Sequence, residues 1–180
     1  MSKIEDRFLS NENPVLRISL KELFGVDNFP DDPGLKRIIA EDVVEKIVER
    51  TQQGTSRTGS RFRGYSDDYI KSLDFRAFGK SANDVNLTLS GDMLDSFDIN
   101  DDGDFIEISF IDQENASKAH GHITGGGNLP IRDFFGLPKK DYDSIRDRYI
   151  DEVEDSSQGL FGIDSLLGET LIRIGALLDD

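Results

Sequence analysis

Apolar residues recur at helical spacing between residues 33 and 53. Asp31-Asp32-Pro33 precedes this stretch and combines a capping carboxylate with proline. Proline suits the first helical position because that position needs no N–H donor. The spacing predicts an amphipathic helix of about twenty residues that ends near Gly54. Its apolar stripe contains Leu35, Ile39, Ala40, Val43, Val44, Ile47 and Val48.

A different period, strict alternation of apolar and polar residues, indicates a β-hairpin further along the chain. Phe97 to Ile99 forms its first arm, residues 100–103 supply turn-forming Asn, Asp and Gly, and Phe105 to Ile111 forms its second arm. Side chains two apart share one face of a strand. We therefore expect one buried face made of Ile106, Ile108 and Phe110.

Weaker patterns predict four further helical segments. Tyr65 to Leu73 reads as a short helix with Tyr69 and Leu73 on one face, and residues 87–95 as a turn and short helix. Residues 113–120 also favour a helix. Asp141 to Val153 places Ile145, Tyr149 and Val153 on one side of a longer helix.

The two ends of the chain differ from its middle. Residues 1–13 are polar and predict a flexible arm, whereas residues 15–20 alternate weakly and fit either a strand or an arm on a neighbouring subunit. Residues 160–180 are strongly amphipathic at helical spacing. Two glycines there each weaken a helix by about 1 kcal/mol, so this helix needs a surface on which to dock.

Together these elements predict a single domain of the α+β class. A small antiparallel sheet that contains the hairpin is packed by the long helix, and extended segments lie at both ends. We divide the chain into an N-terminal arm (1–24), an α+β domain (25–155) and a C-terminal helical extension (156–180).

The net charge of the chain limits the classes of molecule that it is expected to bind. The chain of 180 residues has 36 acidic and 21 basic side chains and a net charge of −15, which disfavours non-specific binding to DNA. Such a field suits a basic partner or a lumen through which DNA slides. No cysteine is present, so disulfides and zinc–thiolate sites are excluded. Short apolar runs and the absence of a signal-peptide pattern predict synthesis in the cytoplasm and no membrane partner.

Two motifs suggest a metal, and neither pattern is complete. Asp98-x-Asn100-x-Asp102-Gly103 matches the beginning of a calcium loop, but Ser109 occupies the position that needs a bidentate glutamate. A solvated hairpin turn explains it better. His120 and His122 would share a face in a strand, but no third ligand is suitably spaced. We expect His122 to hydrogen-bond locally where the following loop begins, and His120 to be exposed.

A basic cluster of Arg57, Arg61 and Arg63 stands out in this acidic chain. It fits a loop neutralised by nearby acids, a contact with an acidic patch on another subunit, or a contact with DNA. No nucleophile has a recognisable base partner, and the triple glycine 125–127 lacks the lysine of a phosphate loop. The sequence thus predicts neither an enzyme nor a cofactor.

Residues 116–137 carry a family resemblance. Ala119-x-x-His122-x-x-Gly125, followed by Pro130-x-Arg132-x-Phe134-Phe135-Gly136-Leu137, resembles the late signature of bacteriophage tail-completion proteins, also called virion morphogenesis or head–tail joining proteins. The resemblance covers about residues 60–153, including a segment from Leu89 to Ser96. The residues that match, or lie between matched positions, are His122, Gly125, Gly126, Gly127, Pro130, Arg132, Phe134, Phe135, Gly136 and Leu137.

The resemblance implies a structural protein of the virion neck. Membership would mean a homo-oligomeric ring that joins the head connector to the tail, with portal-side, tail-terminator or tail-tube proteins as neighbours and DNA at most passing through the lumen. Arg132 is expected to be buried or interfacial with a bidentate carboxylate partner, and Phe134, Phe135 and Leu137 to be core. A tail-terminator or head-completion ring is the near alternative. An acidic cytosolic binding protein or regulator is the distant one.

Overall fold

The α+β prediction is confirmed by a computed structural model, which describes residues 4–10, 13–88, 91–126 and 129–157. Within them, four strands form one antiparallel sheet in the order β1-β2-β4-β3. The strands are β1 (Glu5–Phe8), β2 (Val15–Ser19), β3 (Phe97–Asp102) and β4 (Phe105–Phe110). The helices are α1 (Leu20–Phe24), α2 (Pro33–Gln52), α3 (Asp67–Lys71), α4 (Leu73–Ala77), α5 (Asp92–Asp95), α6 (Gln113–Thr124) and α7 (139–157).

The long helix α2 begins as the sequence predicts. The Asp32 side chain accepts a hydrogen bond from the Leu35 N–H at 3.0 Å, and Pro33 opens the first turn. The apolar stripe then packs on the sheet, with Ile39, Val43 and Ile47 fully buried. Gly54 follows the helix in the left-handed region (φ 73°), close to the predicted end.

The N-terminal arm is where the structure departs most from expectation. Residues 5–8 form an edge strand rather than a flexible arm, and residues 15–19 adopt the strand alternative. β2 lies inside the sheet between β1 and β4, with Leu16 opposite Ile108 and Ile18 opposite Ile106. Leu16 and Ile18 are fully buried. This segment therefore completes its own chain's core.

The hairpin is confirmed, but its turn begins three residues later than predicted and ends one residue later. Asp102 pairs with Phe105, so Gly103 and Asp104 form the connection, and Gly103 takes a φ of 65°. Ile106, Ile108 and Phe110 are buried, as the alternation predicts. Both carboxylates of the calcium-like motif, Asp98 and Asp102, thus lie in strand β3.

The short helical segments agree only in part with the sequence prediction. The segment predicted as one helix over 65–73 is two short helices, and Leu73 starts the second one with 82% of its surface exposed. Tyr69 and Leu73 thus lie on different helices, so the predicted single helix with both residues on one face is wrong. Residues 113–120 are helical within the longer α6. In α7, Ile145, Tyr149 and Val153 are buried on one side.

Two ion pairs attach α7 to α2. Arg148 lies 2.9 Å from the buried carboxylate of Asp42, and Arg50 lies 3.6 Å from Asp141. Most of the C-terminal helical extension, residues 158–180, lies outside the described residues. Within the described part of the chain, no helix is both long enough and apolar enough to cross a membrane.

Candidate functional site

The motif that carries the family resemblance forms one compact structural unit. α6 ends at Gly125, whose φ of 78° favours glycine and whose N–H donates to the Gly121 carbonyl at 2.9 Å. A Cβ at Gly125 would lie 2.9 Å from Ile131 Cγ1, so the returning segment packs directly on this glycine. The Arg132 N–H donates to the His122 carbonyl at 2.8 Å and closes the loop. Gly127 lies outside the described residues.

The second half of the motif belongs to the core, as predicted. Phe134 and Phe135 are fully buried, and Leu137 is almost so. The ring of Phe135 stacks nearly parallel to Phe97, with 6.1 Å between their centres. Gly136 has a φ of 130°, and its carbonyl accepts from Arg50 Nη1 at 3.0 Å. These residues anchor the loop to the sheet.

Arg132 is buried, but its partners differ from the predicted carboxylate. Its Nε donates to the Arg63 carbonyl at 3.3 Å and its Nη2 to the Gly64 carbonyl at 3.2 Å. Its guanidinium carbon lies 5.2 Å from the centre of the Tyr65 ring. Burial lowers the pKa of Arg132, which nevertheless remains charged because arginine does not lose its proton in proteins. The positive charge is therefore kept inside the protein without a counter-ion among the described residues.

Arg132 lies in the wall of a cleft of about 340 Å³. The cleft is bounded by α6, by the returning segment after the glycine loop, and by residues from α3, α5 and the chain before and between them. Its polar and charged lining comprises Tyr65, Ser66, Tyr69, Lys80, Lys118, His122 and Arg132. Leu87, Gly91, Met93, Leu129 and Pro130 complete the wall.

The electrostatics of the cleft oppose those of the whole chain. Of the residues that the structure describes, three cationic side chains and no aspartate or glutamate line the cleft, in a protein with a net charge of −15. Lys118 is paired with Glu114 at 2.7 Å. Among the described residues, neither Lys80 nor Arg132 has a carboxylate oxygen within 4.0 Å. The cleft therefore carries uncompensated positive charge.

The imidazole of His122 lies in the same wall, and its Nδ1 is buried with no hydrogen-bond partner among the described residues. Burial lowers the pKa of His122 to about 4, and the charges of Arg132 and Lys80 contribute to the shift. The side chain is consequently neutral at pH 7. The hydrogen bond expected of His122 is made by its backbone carbonyl, which accepts from the Arg132 N–H, and not by its imidazole Nδ1.

His120 and His122 lie on helix α6, not in a strand, so the premise for a shared metal face is wrong. Residues two apart in a helix point in very different directions. His120 is half-buried where exposure was expected. Among the described residues, no group of three or more histidine, aspartate or glutamate side chains is arranged to hold a metal ion.

The structure separates the members of the basic cluster. Arg57 forms an ion pair with Glu5 of strand β1, and its N–H donates to the Asp133 carbonyl at 2.8 Å. Arg61 and Arg63 are exposed. Arg57 therefore matches the interpretation of a loop neutralised by nearby acids, and the remaining two are open to a subunit or DNA contact.

The backbone beside the cleft is unusual. Leu87, in its wall, has a φ of 52°, and it is the one non-glycine with positive φ in the part of the chain that the structure describes. Such a conformation costs roughly 1 kcal/mol or more and persists where the surroundings impose it. Gly91, with a φ of 100°, lines the same cleft. Strain of this kind clusters at functional sites.

Sequence reasoning identified His122, Pro130 and Arg132 but missed their companions. Tyr65, Lys80 and Lys118 come from separate segments with no motif that connects them. One signal was present: Lys118 and His122 are four residues apart and therefore share a helix face.

The family resemblance rests on the motif residues themselves, and their geometry describes a structural loop that borders a cationic cleft. Comparison of the chain with protein-family models, with curated proteins and with solved structures finds no match.

Proposed function

We propose that the protein is a structural component of a tailed-phage virion at the head–tail junction, where copies form a ring that joins the head connector to the tail. The observation that carries this proposal is the arrangement of the resemblance motif. Its glycines, arginine and phenylalanines anchor a loop to the core, and the same loop exposes 42% of Leu129 and 64% of Ile131. An anchored loop whose returning segment exposes apolar side chains suits assembly.

A ring requires two different surfaces on each subunit, because heterologous contacts close into a ring only when one patch meets another. We define the loop patch as Leu129 and Ile131. The sheet-end patch consists of Phe8, Leu9 and Ile111, which are 55%, 39% and 70% exposed.

The register of the sheet places the sheet-end patch together. Phe8 pairs with Val15 at the beginning of β2, and the side chain of Asn13 exchanges hydrogen bonds with the backbone of Phe110 at the end of β4. Helix α6 then runs about 18 Å from this end of the sheet towards the glycine loop. The two patches are thus separate surfaces, as a heterologous contact needs.

The first test is the content of the virion. We expect the protein in purified, DNA-filled particles of the phage that encodes it, in a fixed small number of copies, and labelled at the neck by immunogold electron microscopy. Absence from such particles would remove the proposal and favour the acidic binding protein.

The second test addresses the ring contacts with Ile131→Lys and Ile111→Lys, each of which adds a charge to one patch. Native mass spectrometry on the assembled neck or at high protein concentration should show loss of the ring for either variant. A mixture of the two variants should form dimers, because each retains one intact patch. Leu73→Lys is the matched control, since Leu73 is 82% exposed outside both patches.

A tail-terminator or head-completion ring would give the same solution behaviour. Labelling of tailless heads and of headless tails separates a tail terminator, expected on headless tails, from the two roles on the head. A head–tail joining protein on the connector is expected on DNA-filled heads before tails attach.

A further inference from the structure

The cationic cleft has features that ring assembly does not require. Lys80 and Arg132 both lie beside the ring of Tyr65, with Lys80 Nζ and the Arg132 guanidinium carbon each 5.2 Å from its centre. Lys80 Nζ also donates to the Tyr65 hydroxyl at 3.1 Å and to Asn86 Oδ1 at 3.1 Å. One aromatic residue therefore positions both charges before any ligand arrives.

Both cations retain donors after these contacts. An ammonium group has three N–H bonds, and Lys80 uses two of them on Tyr65 and Asn86. A guanidinium has five, and Arg132 uses two on backbone carbonyls. All the acceptors are neutral, so the positive charge is unbalanced and can bind an oxyanion.

The cleft also has apolar and aromatic surface. Leu87, Met93, Leu129 and Pro130 contribute aliphatic surface, and Tyr69 adds a second ring beside Tyr65. A cleft of this size that combines apolar surface with convergent polar groups is typical of small-molecule sites. Charges in such partly desolvated surroundings interact more strongly than they do in water.

We propose that this cleft binds a small organic anion, with a carboxylate or phosphate at Lys80 and Arg132 and an apolar or aromatic body against Tyr65, Tyr69 and Met93. Lys118, at the rim and half-exposed, attracts the anion but contributes less because it shares its charge with Glu114. The proposal does not depend on the virion role. Leu129 belongs to both surfaces, so the tests use Lys80 here and Ile131 for assembly.

The experiment is a titration of the full chain with benzoate and phenyl phosphate, followed by NMR of the histidine ring protons. The chain has two histidines, so the two signals are readily distinguished. We expect saturable shifts of the His122 signal and much smaller ones for His120. The pKa of His122 should rise on binding, because the anion offsets the positive potential of Arg132 and Lys80.

Three further probes test the chemistry. Benzyl alcohol, which lacks the charge, and acetate or inorganic phosphate, which lack the aromatic body, should each bind at least tenfold more weakly than benzoate or phenyl phosphate. If benzyl alcohol binds as tightly as benzoate, the role of the cations is overturned. If acetate and inorganic phosphate bind as tightly as benzoate and phenyl phosphate, the role of the apolar wall is overturned.

Variants complete the test. Lys80→Gln should weaken benzoate binding at least tenfold, Lys118→Gln only a few-fold, and Lys140→Gln, an exposed lysine on α7, not at all. The unfolding midpoint of each variant shows whether the fold persists, and Lys118→Gln provides a rim variant with few packing contacts. Lack of binding by the wild-type chain, or unchanged binding by a folded Lys80→Gln, would overturn the proposal.

Discussion

The Tyr142 hydroxyl donates a hydrogen bond to Glu5 Oε2 at 2.6 Å and so joins the last described helix to the first strand. Arg57 pairs with the other oxygen of the same buried carboxylate. Burial raises the pKa of Tyr142 well above its ordinary range. Strand β1 is an edge strand, and this contact attaches it to the C-terminal half of the domain.

Removal of the Tyr142 hydroxyl should lower the stability of the fold. Tyr142→Phe leaves one oxygen of Glu5 buried without its donor, and we expect the free energy of unfolding to fall by about 2 kcal/mol. Urea denaturation at pH 7 measures it. Tyr69→Phe is the control, since its hydroxyl has no hydrogen-bond partner among the described residues, and a loss of similar size there would contradict the assignment.

Alanine substitutions at two glycines should separate the stability cost of a strained backbone from the cost of a steric clash. Gly54 and Gly59 both have positive φ, at 73° and 85°. A Cβ at Gly54 would lie 2.8 Å from the Val85 carbonyl oxygen, whereas a Cβ at Gly59 would meet nothing within 4 Å. We expect Gly59→Ala to cost about 1 kcal/mol and Gly54→Ala at least twice that amount. Equal shifts in the urea midpoints of the two variants would contradict this reading of Gly54.

His122 should make stability depend on pH. Its folded pKa of about 4 lies below the ordinary 6.5, so between these values the unfolded chain binds more protons. Stability from this group is complete above the unfolded pKa and is lost as the pH falls towards the folded pKa, up to roughly 3 kcal/mol. The positive charges of Arg132 and Lys80, which line the same cleft, also oppose protonation of His122.

Urea titrations at several pH values between these limits measure the effect. His122→Gln should flatten the pH dependence over this window, while His120→Gln should retain the wild-type slope. If the free energy of unfolding of His122→Gln changes with pH as steeply as that of the wild type, the pH dependence comes from carboxylates and not from His122.

The aromatic cluster around Phe135 should dominate core stability. Its ring centre lies 5.4 Å from that of Phe110 and 6.2 Å from that of Phe134, in addition to the stacked Phe97. Phe135→Ala should reduce the free energy of unfolding by about 3 to 5 kcal/mol, because the cavity cannot fully collapse. The control is Phe78→Ala, since Phe78 is 53% exposed, with an expected change below about 1 kcal/mol.

The sequence by itself determined the elements whose signals are local. Asp32-Pro33 and a stripe at helical spacing specify α2, and alternation from Phe97 to Phe110 specifies the hairpin, because capping and periodicity act within a few residues. The burial of Phe134, Phe135 and Leu137 also follows from their apolar character. The helix and the hairpin needed no distant partner, whereas the burial of Phe135 depends on packing against Phe97 and Phe110.

Tertiary structure decided what depends on partners far along the chain. The weak alternation of residues 15–20 fits a strand and an arm equally, and pairing with β1 and β4 decides for the strand. Likewise, Arg132 donates hydrogen bonds to the backbone carbonyls of residues 63 and 64, and no pattern of side chains in the sequence predicts such acceptors. The cleft joins Tyr65, Lys80 and His122 from separate segments. The positive charge of the cleft arises because folding brings Lys80, Lys118 and Arg132 together. Tertiary packing sets this arrangement, and the local sequence does not predict it.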